Sequence, residues 1–270
     1  MVTHIMNDNN SQSNGQTPLQ YVYGIIRCPD PRDFSTKGIG ERGDVVHTIN
    51  HRGLGVVLSD SGAKEYDNSR RNMMAHMLVL EEVMKEYSVL PVRFGTVAPT
   101  QNAVMNSVLV KRYDELVGLL DDMLGRVEMG LKAFWYEQVI FKEIIEQTPA
   151  IRQLRDKLVG RSPEQTYYER IRLGEMIAAT MDRQRDVEEE EILSRLRPFV
   201  HKTVLSKTIT DRMILNAAFL VNKTDEPNLD RAVQELDARM GKRVMFKYVG
   251  PVPPYNFVNI ILHTVPQTGE

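Results

Sequence analysis

Short apolar runs separated by turn-forming residues dominate the start of the chain. Residues 21–26 are mostly β-branched or aromatic and stop before the turn formers at 29–31, which predicts a strand. A polar loop containing glycine is expected from there to Gly43. Two further apolar runs, 45–49 and 54–58, are separated by a short connection that ends in glycine, and this spacing predicts a β-hairpin.

Helical periodicity replaces this pattern after the hairpin. Apolar residues recur every three or four positions from about Ser69, which predicts an amphipathic helix. Its apolar positions are Met73, Met77, Leu80, Met84 and Tyr87. We interpret the methionines of this helix, Met73, Met74, Met77 and Met84, as core filling, and a groove for a partner protein is the alternative that the sequence leaves open. The run 89–97 is strand-like but interrupted by Pro91, and a second helix is expected from about Thr100.

Gly125 and Gly130 mark a break, after which a second set of elements begins. The pattern predicts, in order, a strand near 131–135, a short helix between Pro149 and Gly160, a long helix opened by Ser162-Pro163-Glu164-Gln165 and ended at Arg197, strands at 204–209 and 213–221, a helix at 229–240 and a strand at 244–248. This is the order of a ferredoxin-like split βαβ unit with an enlarged first crossover.

The sequence therefore predicts an α+β protein with two domains. A mixed α+β domain is expected over residues 19–125. A modified ferredoxin-like (split βαβ) domain with an enlarged helical crossover is expected over residues 126–250. Residues 1–18 are polar and lack the features of a secretion signal, so we expect a disordered extension. Residues 251–270 are expected to form a proline- and aromatic-rich tail that packs across both domains.

Composition narrows the classes of function. The chain has 34 Lys and Arg against 36 Asp and Glu, a formal net charge of -2, which disfavours a nucleic-acid partner. No apolar run approaches the roughly 20 residues that span a bilayer, so no lipid membrane partner is expected. Cys28 is the only cysteine, which excludes an internal disulfide and fits a cytoplasmic location.

The motifs of enzymes and cofactor sites are weak or missing. Residues 38–43 match G-x-G-x-x-G, but a dinucleotide site needs a helix directly after this loop and the pattern predicts a strand. His47 and His51 flank the hairpin turn with no acidic or cysteine partner at ligand spacing, which disfavours a metal site. No nucleophile elbow, P-loop or H-E-x-x-H motif is present. We expect no catalytic residue, no cofactor, no metal and no enzymatic activity.

Two charged features have two interpretations each. The acidic run 188–191 is most simply a solvated helix face with pairing such as Glu191 to Arg195, and an acidic docking surface is the alternative. Arg93 is the one charge in its apolar run. It is either an ion-pair donor within the fold or a residue that contacts a partner.

Four stretches together carry a family resemblance. They are Tyr-Val-Tyr-Gly-Ile-Ile at 21–26, Val-Leu-Pro-Val-Arg-Phe-Gly-Thr at 89–96, Leu-Asn-Ala-Ala-Phe-Leu-Val at 215–221 and Gly-Pro-Val-Pro-Pro-Tyr-Asn-Phe-Val at 250–258. In this order the chain resembles the gas vesicle F/L-type proteins, the F type in particular. These are accessory proteins made alongside the small shell protein of buoyant microbial gas vesicles.

The resemblance implies a role and a set of partners. It implies a minor structural or assembly component of the gas vesicle in the cytoplasm, built from two α+β domains and without enzymatic activity. The expected partners are the hydrophobic shell protein (GvpA-type) and other accessory gas vesicle proteins. The expected effect is to help nucleation or to prevent aggregation of the shell protein. Arg93, Phe94, Tyr255 and Phe257, which lie in two of the resembling stretches, are the expected partner-binding residues.

Two other functions compete with this one. A small-molecule or nucleotide-binding enzyme could use an interdomain cleft, with ionisable groups such as Arg93, Glu81 and His76. A ferredoxin-like RNA-binding domain would need exposed aromatics on its sheet, for which Phe246 and Tyr248 are the candidates.

Overall fold

The structure is a computed structural model that describes residues 18–262. Apart from Pro18, the predicted extension over residues 1–18 lies outside the described residues, and so do residues 263–270 of the predicted tail. The described chain divides into two compact units, the first comprising 18–82, 92–116 and 261–262 and the second comprising 83–91 and 117–260. The domain boundaries expected near 125 and 250 stay predictions.

Strands and helices are mixed along the described chain. Up to residue 123 they are β1 (Leu19–Arg27), β2 (Asp33–Lys37), β3 (Val45–His51), β4 (Leu54–Ser61), α1 (Arg70–Glu86), β5 (Val89–Pro91), β6 (Val97–Ala98), α2 (Gln101–Val104), a π-helical segment (Met105–Val110) and α3 (Tyr113–Met123). From residue 126 they are β7 (Arg126–Trp135), α4 (Glu137–Gln147), α5 (Pro149–Leu158), α6 (Tyr167–Leu196), a 3-10 turn (Arg197–Phe199), β8 (Lys202–Leu205), β9 (Met213–Asn222), α7 (Glu226–Met240) and β10 (Val244–Val252). This mixture confirms the predicted α+β class.

The sheet of the first unit is built on the predicted hairpin. Its strands follow the order β2-β3-β4-β1 with antiparallel pairing, and β6 pairs with β1 as well. Arg52 and Gly53 join β3 to β4, and their φ angles of 49° and 87° are the left-handed values that a two-residue hairpin turn requires. β1 and β4 are buried along nearly their whole length, so they form the centre of this unit.

β2 lies in the segment that was predicted to be a polar loop. It has one buried apolar residue, Phe34, so no alternation marks it in the sequence. After Phe34 the pairing with β3 shifts, and Ser35 N and Thr36 N donate instead to the Glu82 carboxylate at 2.9 and 2.8 Å. Burial alone would raise the pKa of Glu82, but hydrogen bonds from the Thr36 and Ser35 side chains, together with the two from the backbone, lower it to about 2. The strand therefore depends on a distant side chain of α1.

α1 confirms the predicted helix, but only part of its predicted apolar face is buried. The residues buried on it are His76, Val79, Leu80 and Val83. Met73 and Met74 are 49% and 52% exposed, so the interpretation of the methionines as core filling is wrong for these two. Met74 lies outside the stripe that the buried residues form, whereas Met73 is in line with Leu80 but lies near the start of the helix, ahead of the buried residues.

The run 89–97 is not one strand. β5 and β6 are separated by a turn in which Gly95 has a φ of 81°, a conformation that ends a strand. Downstream, the Thr100 side chain accepts a hydrogen bond from Ala103 N at 3.0 Å and caps α2, which confirms the predicted helix start. The predicted second helix then passes through the π-helical segment and resumes as α3.

The second unit places helices against one face of an antiparallel sheet with the order β10-β7-β9-β8. Alternate residues of β7, from Val127 to Trp135, join β9, α4–α7 and β10 in the core. α4 was not predicted. α6 begins at Tyr167, later than expected, because Ser162 Oγ accepts from Gln165 N at 3.4 Å in a turn that precedes the helix. The predicted strand β9 and helix α7 are confirmed.

Candidate partner-binding surfaces

The turn that carries Arg93 and Phe94 is held by a buried aromatic cluster in the first unit. Tyr21 Oη accepts a hydrogen bond from Gly95 N at 2.9 Å and lies 3.0 Å from His76 Nδ1. The Phe94 ring packs against the rings of Tyr21 and His76, with centroid distances of 6.4 and 5.7 Å. Burial lowers the pKa of His76 to about 4, so its neutral imidazole can accept the Tyr21 hydroxyl proton at physiological pH. The cluster therefore fixes the turn from inside.

A cleft of about 510 Å³ opens beside this turn. Its lining comes mainly from the loop before α1 and from the turn, and it includes Lys64, Tyr66, Arg93, Phe94 and Leu262. Arg93 is exposed, and across residues 18–262 its guanidinium makes no ion pair or hydrogen bond. The interpretation of Arg93 as an internal ion-pair donor is therefore wrong for the described chain. Its contact with a partner stays a prediction.

A second exposed apolar group of the first unit lies on α1. Met73, Met74 and Leu78 are each about half exposed there, and we call these three residues the Met face. Methionine is flexible and polarizable, so it adapts to apolar partners of irregular shape. The sequence contains the signal for part of this surface: Met74 and Leu78 lie four residues apart, outside the stripe of His76 and Leu80, whereas Met73 falls on that stripe and its exposure has no signal in the helical period.

The chain after β10 is anchored to β7 by a buried carboxylate. Glu128 accepts hydrogen bonds from Asn256 N at 2.8 Å and from Asn256 Nδ2 at 2.6 Å. Burial raises the pKa of Glu128, and the two hydrogen bonds oppose that rise. Val258 and Ile260 are buried just beyond the anchor. This part of the tail packs within the second unit, and the predicted packing across both domains stays a prediction.

Tyr255 and Phe257 flank Asn256 and differ in exposure. Tyr255 lies at the surface, although burial of part of its ring raises the pKa of its hydroxyl. Phe257 is half-buried. The four predicted contact residues thus form two pairs, with Arg93 and Phe94 in the first unit and Tyr255 and Phe257 in the second. Each pair reaches the surface of its own unit, and contact with a partner stays a prediction for all four.

The glycines of the G-x-G-x-x-G run have structural explanations. A Cβ atom on Gly38 would lie 2.5 Å from Ser59 Oγ and 3.2 Å from Tyr23 Oη, two atoms that are hydrogen-bonded at 3.1 Å. Gly40 and Gly43 have φ angles of 94° and 77°, which favour glycine. β3 follows the run, so the loop does not lead directly into a helix as a dinucleotide site requires. Packing and backbone conformation explain this motif without a bound phosphate.

The acidic run of α6 is not a uniformly solvated face. Glu188 is 6% exposed and accepts hydrogen bonds from Trp135 Nε1 at 2.8 Å and Gln184 Nε2 at 3.0 Å. Arg243 Nη2 lies 2.8 Å from the same carboxylate. The prediction of a solvated helix face is wrong for Glu188, because Trp135 and Arg243, which are distant in sequence, bind its carboxylate inside the core.

Two of the three remaining carboxylates of the run are paired on the surface, and Glu189 forms no ion pair within the described chain. Glu191 forms its ion pair with Arg239 of α7, not with Arg195 as predicted. Glu190 pairs with Arg197 at 2.7 Å. With these partners in place, the run offers little free negative charge, which weakens its interpretation as an acidic docking surface.

The described residues contain few groupings that suggest chemistry. Among them, no three His, Cys, Asp or Glu side chains come together in a group able to hold a metal ion. Cys28 is buried, and its Sγ donates to Asp30 O at 3.0 Å. From residue 18 to residue 262, no helix has both the length and the hydropathy needed to cross a membrane.

The two competing functions gain no support from geometry. His76 is 1% exposed inside the aromatic cluster, whereas Glu81 and Arg93 are exposed, so the three ionisable groups do not present a common reactive surface. Phe246 and Tyr248 pack against the core on the helix side of their sheet. They are not the open stacking platform that an RNA-binding sheet requires.

Known proteins resemble this chain over nearly all of its described length. The family described as gas vesicle synthesis protein GvpL/GvpF matches residues 19–259. Gas vesicle protein F of Microcystis aeruginosa (strain PCC 7806) is 30% identical over 243 residues, which cover 89% of this chain and 98% of that protein. Gas vesicle protein F of Dolichospermum flosaquae is 27% identical over 242 residues, which cover 89% of this chain and 97% of that protein.

Solved structures agree with the sequence matches. The crystal structure of the gas vesicle protein GvpF from Anabaena sp. PCC7120 has a TM-score of 0.78 at 26% identity, covering 91% of this chain and all of that chain (100%). The crystal structure of gas vesicle protein GvpF from Microcystis aeruginosa has a TM-score of 0.75 at 28% identity, covering 90% of this chain and 100% of that chain. The names of these relatives describe gas vesicle proteins and no enzymatic activity. The chain therefore belongs to the gas vesicle synthesis protein GvpL/GvpF family.

Proposed function

We propose that this protein is a minor structural or assembly component of gas vesicles that binds the hydrophobic shell protein (GvpA-type) and keeps it from aggregating during nucleation. A place on the vesicle within the cytoplasm, and binding to other accessory gas vesicle proteins, belong to the same proposal. Family membership supports the link to gas vesicles. A shell subunit that exposes apolar surface and strand edges needs shielding before assembly, because such surfaces template aggregation.

The observation that carries this proposal is the exposed Met face of α1. Exposing half of each of three large apolar side chains to water is unfavourable, and covering them with an apolar partner removes that cost. Polar residues would form this surface equally well if it served only solubility. An adaptable apolar surface matches a client that is itself apolar and only partly assembled.

The four residues predicted from the sequence supply further proposed contacts. Arg93 and Phe94 line the cleft of the first unit, where an exposed guanidinium and a half-buried ring offer a polar and an apolar group side by side. Tyr255 and Phe257 lie on either side of the Asn256 anchor, which holds their backbone in place. A contact surface on a fixed backbone loses less conformational entropy when it binds.

We also propose the finer architecture that the sequence predicted, with domains over 19–125 and 126–250. The order β10-β7-β9-β8 supports a modified ferredoxin-like second domain, because α4–α6 connect β7 to β8 and α7 connects β9 to β10. The three helices between β7 and β8 would be its enlarged crossover.

An aggregation assay tests the proposed function. Purified shell protein is diluted from denaturant into buffer with or without an equimolar amount of this chain, and turbidity and the pelleted fraction are measured. We expect the wild type to lower both. Met73→Glu combined with Met74→Glu should abolish most of this effect, because two carboxylates in the Met face would have to be desolvated on binding.

The matched control is Arg70→Glu, an exposed residue at the start of the same helix. It changes the net charge by the same amount but leaves the Met face intact, so protection should persist. Arg93→Glu should weaken protection partially if the cleft contributes. A folded wild-type chain that fails to lower shell-protein aggregation at any ratio would refute the proposal.

A further inference from the structure

A groove of about 600 Å³ lies between α7 and β10 in the second unit. Phe246 and Tyr248 of β10 lie on its strand side, and Glu226, Asp230 and Asp237 of α7 lie on its helix side. We call this the β10 groove. The strand thus presents an aromatic wall, and the helix presents an acidic wall, to the same space.

The strand that forms one wall has an open edge. β10 is the last strand in the order of its sheet, and within residues 18–262 it pairs with β7 alone. The pairing is continuous from Val244, opposite Trp135, to Val249, opposite Gly130. Six successive residues therefore form a regular strand whose other edge carries unpaired backbone groups, which can accept another strand. No proline interrupts these six positions.

The charge of the groove has one sign. The residues that line it include no Lys, Arg or His. Lys247 of β10 faces away, with its Nζ 5.5 Å from the Phe134 ring on the opposite face of the sheet. None of the three groove carboxylates has an ion pair within the described chain. The negative charge of the groove is therefore available to a ligand.

Tyr248 fixes the position of the central carboxylate. Its hydroxyl donates to Asp230 Oδ1 at 2.8 Å. Burial, followed by this hydrogen bond, raises the pKa of Tyr248, so the hydroxyl stays protonated and remains a donor at neutral pH. One oxygen of Asp230 is thus oriented from the strand side before any ligand binds.

We propose that the β10 groove binds an extended segment of a partner polypeptide with alternating basic and apolar side chains, which adds to β10 as a further strand. Side chains of such a strand alternate between the two faces of the sheet. Basic side chains on the helix side would meet the acidic wall and the aromatic rings. Apolar side chains on the other side would lie beside Val249, which is exposed.

The inference goes beyond shell-protein binding and does not depend on it. It rests on the edge of the second sheet, whereas the proposed shielding function rests on the Met face of the first unit. Charge complementarity selects the ligand, because an acidic or purely apolar strand would leave three carboxylates facing a low-dielectric contact.

A peptide titration tests it on the full chain. The probe is a capped, fluorescein-labelled octapeptide of alternating Val and Lys, and fluorescence anisotropy is recorded at physiological ionic strength. We expect saturable binding, and at least tenfold weaker binding of the matching Val and Glu peptide. Two further probes have N-methyl groups on all the Val amides or all the Lys amides. In an added strand only every second backbone N–H points toward β10. Strand addition therefore requires that one of the two N-methylated probes binds at least tenfold more weakly than the parent peptide, because its methyl groups remove the hydrogen bonds to β10.

Two charge reversals on α7 locate the site. Asp237→Lys lies in the groove and should weaken binding of the Val and Lys peptide at least fivefold. Glu235→Lys is exposed on the same helix outside the groove and should leave binding unchanged. The inference is overturned if the Val and Lys peptide shows no saturable binding, if both N-methylated probes bind as well as the parent, or if the two reversals weaken binding equally. No shell protein is present, so this result and the aggregation assay can fail separately.

Discussion

Trp135 Nε1 donates a 2.8 Å hydrogen bond to Glu188 Oε2 in the core of the second unit. Arg243 binds the same carboxylate and also donates its Nε proton to Glu143 at 2.8–2.9 Å. Burial alone would lower the pKa of Arg243, but the two carboxylates raise it, so the guanidinium is charged. A buried charge is tolerated only while it is paired, so this network joins β7, α6 and α4 as a set of interdependent contacts.

Glu188→Ala should lower the free energy of unfolding by about 3 kcal/mol, because it removes one partner of the partly buried Arg243 guanidinium and the buried acceptor of the indole N–H. Urea denaturation followed by circular dichroism measures this. The matched control is Glu190→Ala, which breaks the exposed pair with Arg197 and should cost about 0.5 kcal/mol. Equal losses for the two variants would contradict the assigned network.

The stability of the first unit should depend on pH through His76. Its pKa is about 4 in the folded chain against an ordinary 6.5, so the unfolded chain takes up a proton first as the pH falls. Neutral His76 therefore contributes fully to the free energy of unfolding above pH 6.5, and this contribution is lost as the pH falls from 6.5 to 4. It amounts to about 3 kcal/mol, at roughly 1.4 kcal/mol per pKa unit. Unfolding free energies of the wild type and His76→Gln, measured at several pH values, check this. If the unfolding free energy of His76→Gln fell with decreasing pH as steeply as that of the wild type, His76 would not be the cause of the pH dependence.

The tail should come loose when its anchor is made repulsive. Asn256→Asp places a second carboxylate against buried Glu128 and removes the amide donor, so residues near Val258 should lose protection from hydrogen exchange. Hydrogen exchange measured by mass spectrometry on peptic fragments gives the readout. Asn259→Asp, which changes an exposed residue of the same segment, should leave the protection unchanged. Unaltered exchange in Asn256→Asp would mean that other contacts hold the tail.

Two glycine substitutions should change the stability of the folded chain in opposite directions. Gly38→Ala forces a Cβ atom onto the Ser59 hydroxyl and should cost about 1–3 kcal/mol of stability. Gly118→Ala, in the helix α3 with open space around its Cα, should stabilise by about 0.5–1 kcal/mol through helix propensity. Thermal unfolding of both variants is a sufficient measurement. A neutral Gly38→Ala would show that the loop relaxes around the new methyl group.

Elements with strong local patterns were predictable from the sequence. The β3–β4 hairpin, the helices α1 and α7 and the strand β9 each have their own apolar period and turn residues, so no distant contact is needed to recognise them. β2 was missed because its single apolar residue, Phe34, gives no period, and because its ladder is completed by Glu82 of α1.

The surfaces were less predictable than the elements. Burial of Glu188 depends on Trp135 and Arg243, which are far away in sequence, so an acidic run looked solvated. The Met face was misassigned because Met73 is exposed although it shares the helical stripe of buried Leu80, and because a histidine was not expected in that stripe. Burial of that histidine depends on a hydrogen-bonding partner in β1, Tyr21, which helical periodicity cannot reveal.

Site-specific photo-crosslinking tests the central claim most directly. A photoreactive amino acid replaces Met73 or Met74, and Arg70 or Lys85 on the same helix in the controls, and each protein is irradiated with purified shell protein. Shell-protein binding by the Met face predicts crosslinked adducts from positions 73 and 74 and few from positions 70 and 85. Folded proteins that give no adduct at 73 and 74, or equal adducts at all four positions, would contradict it.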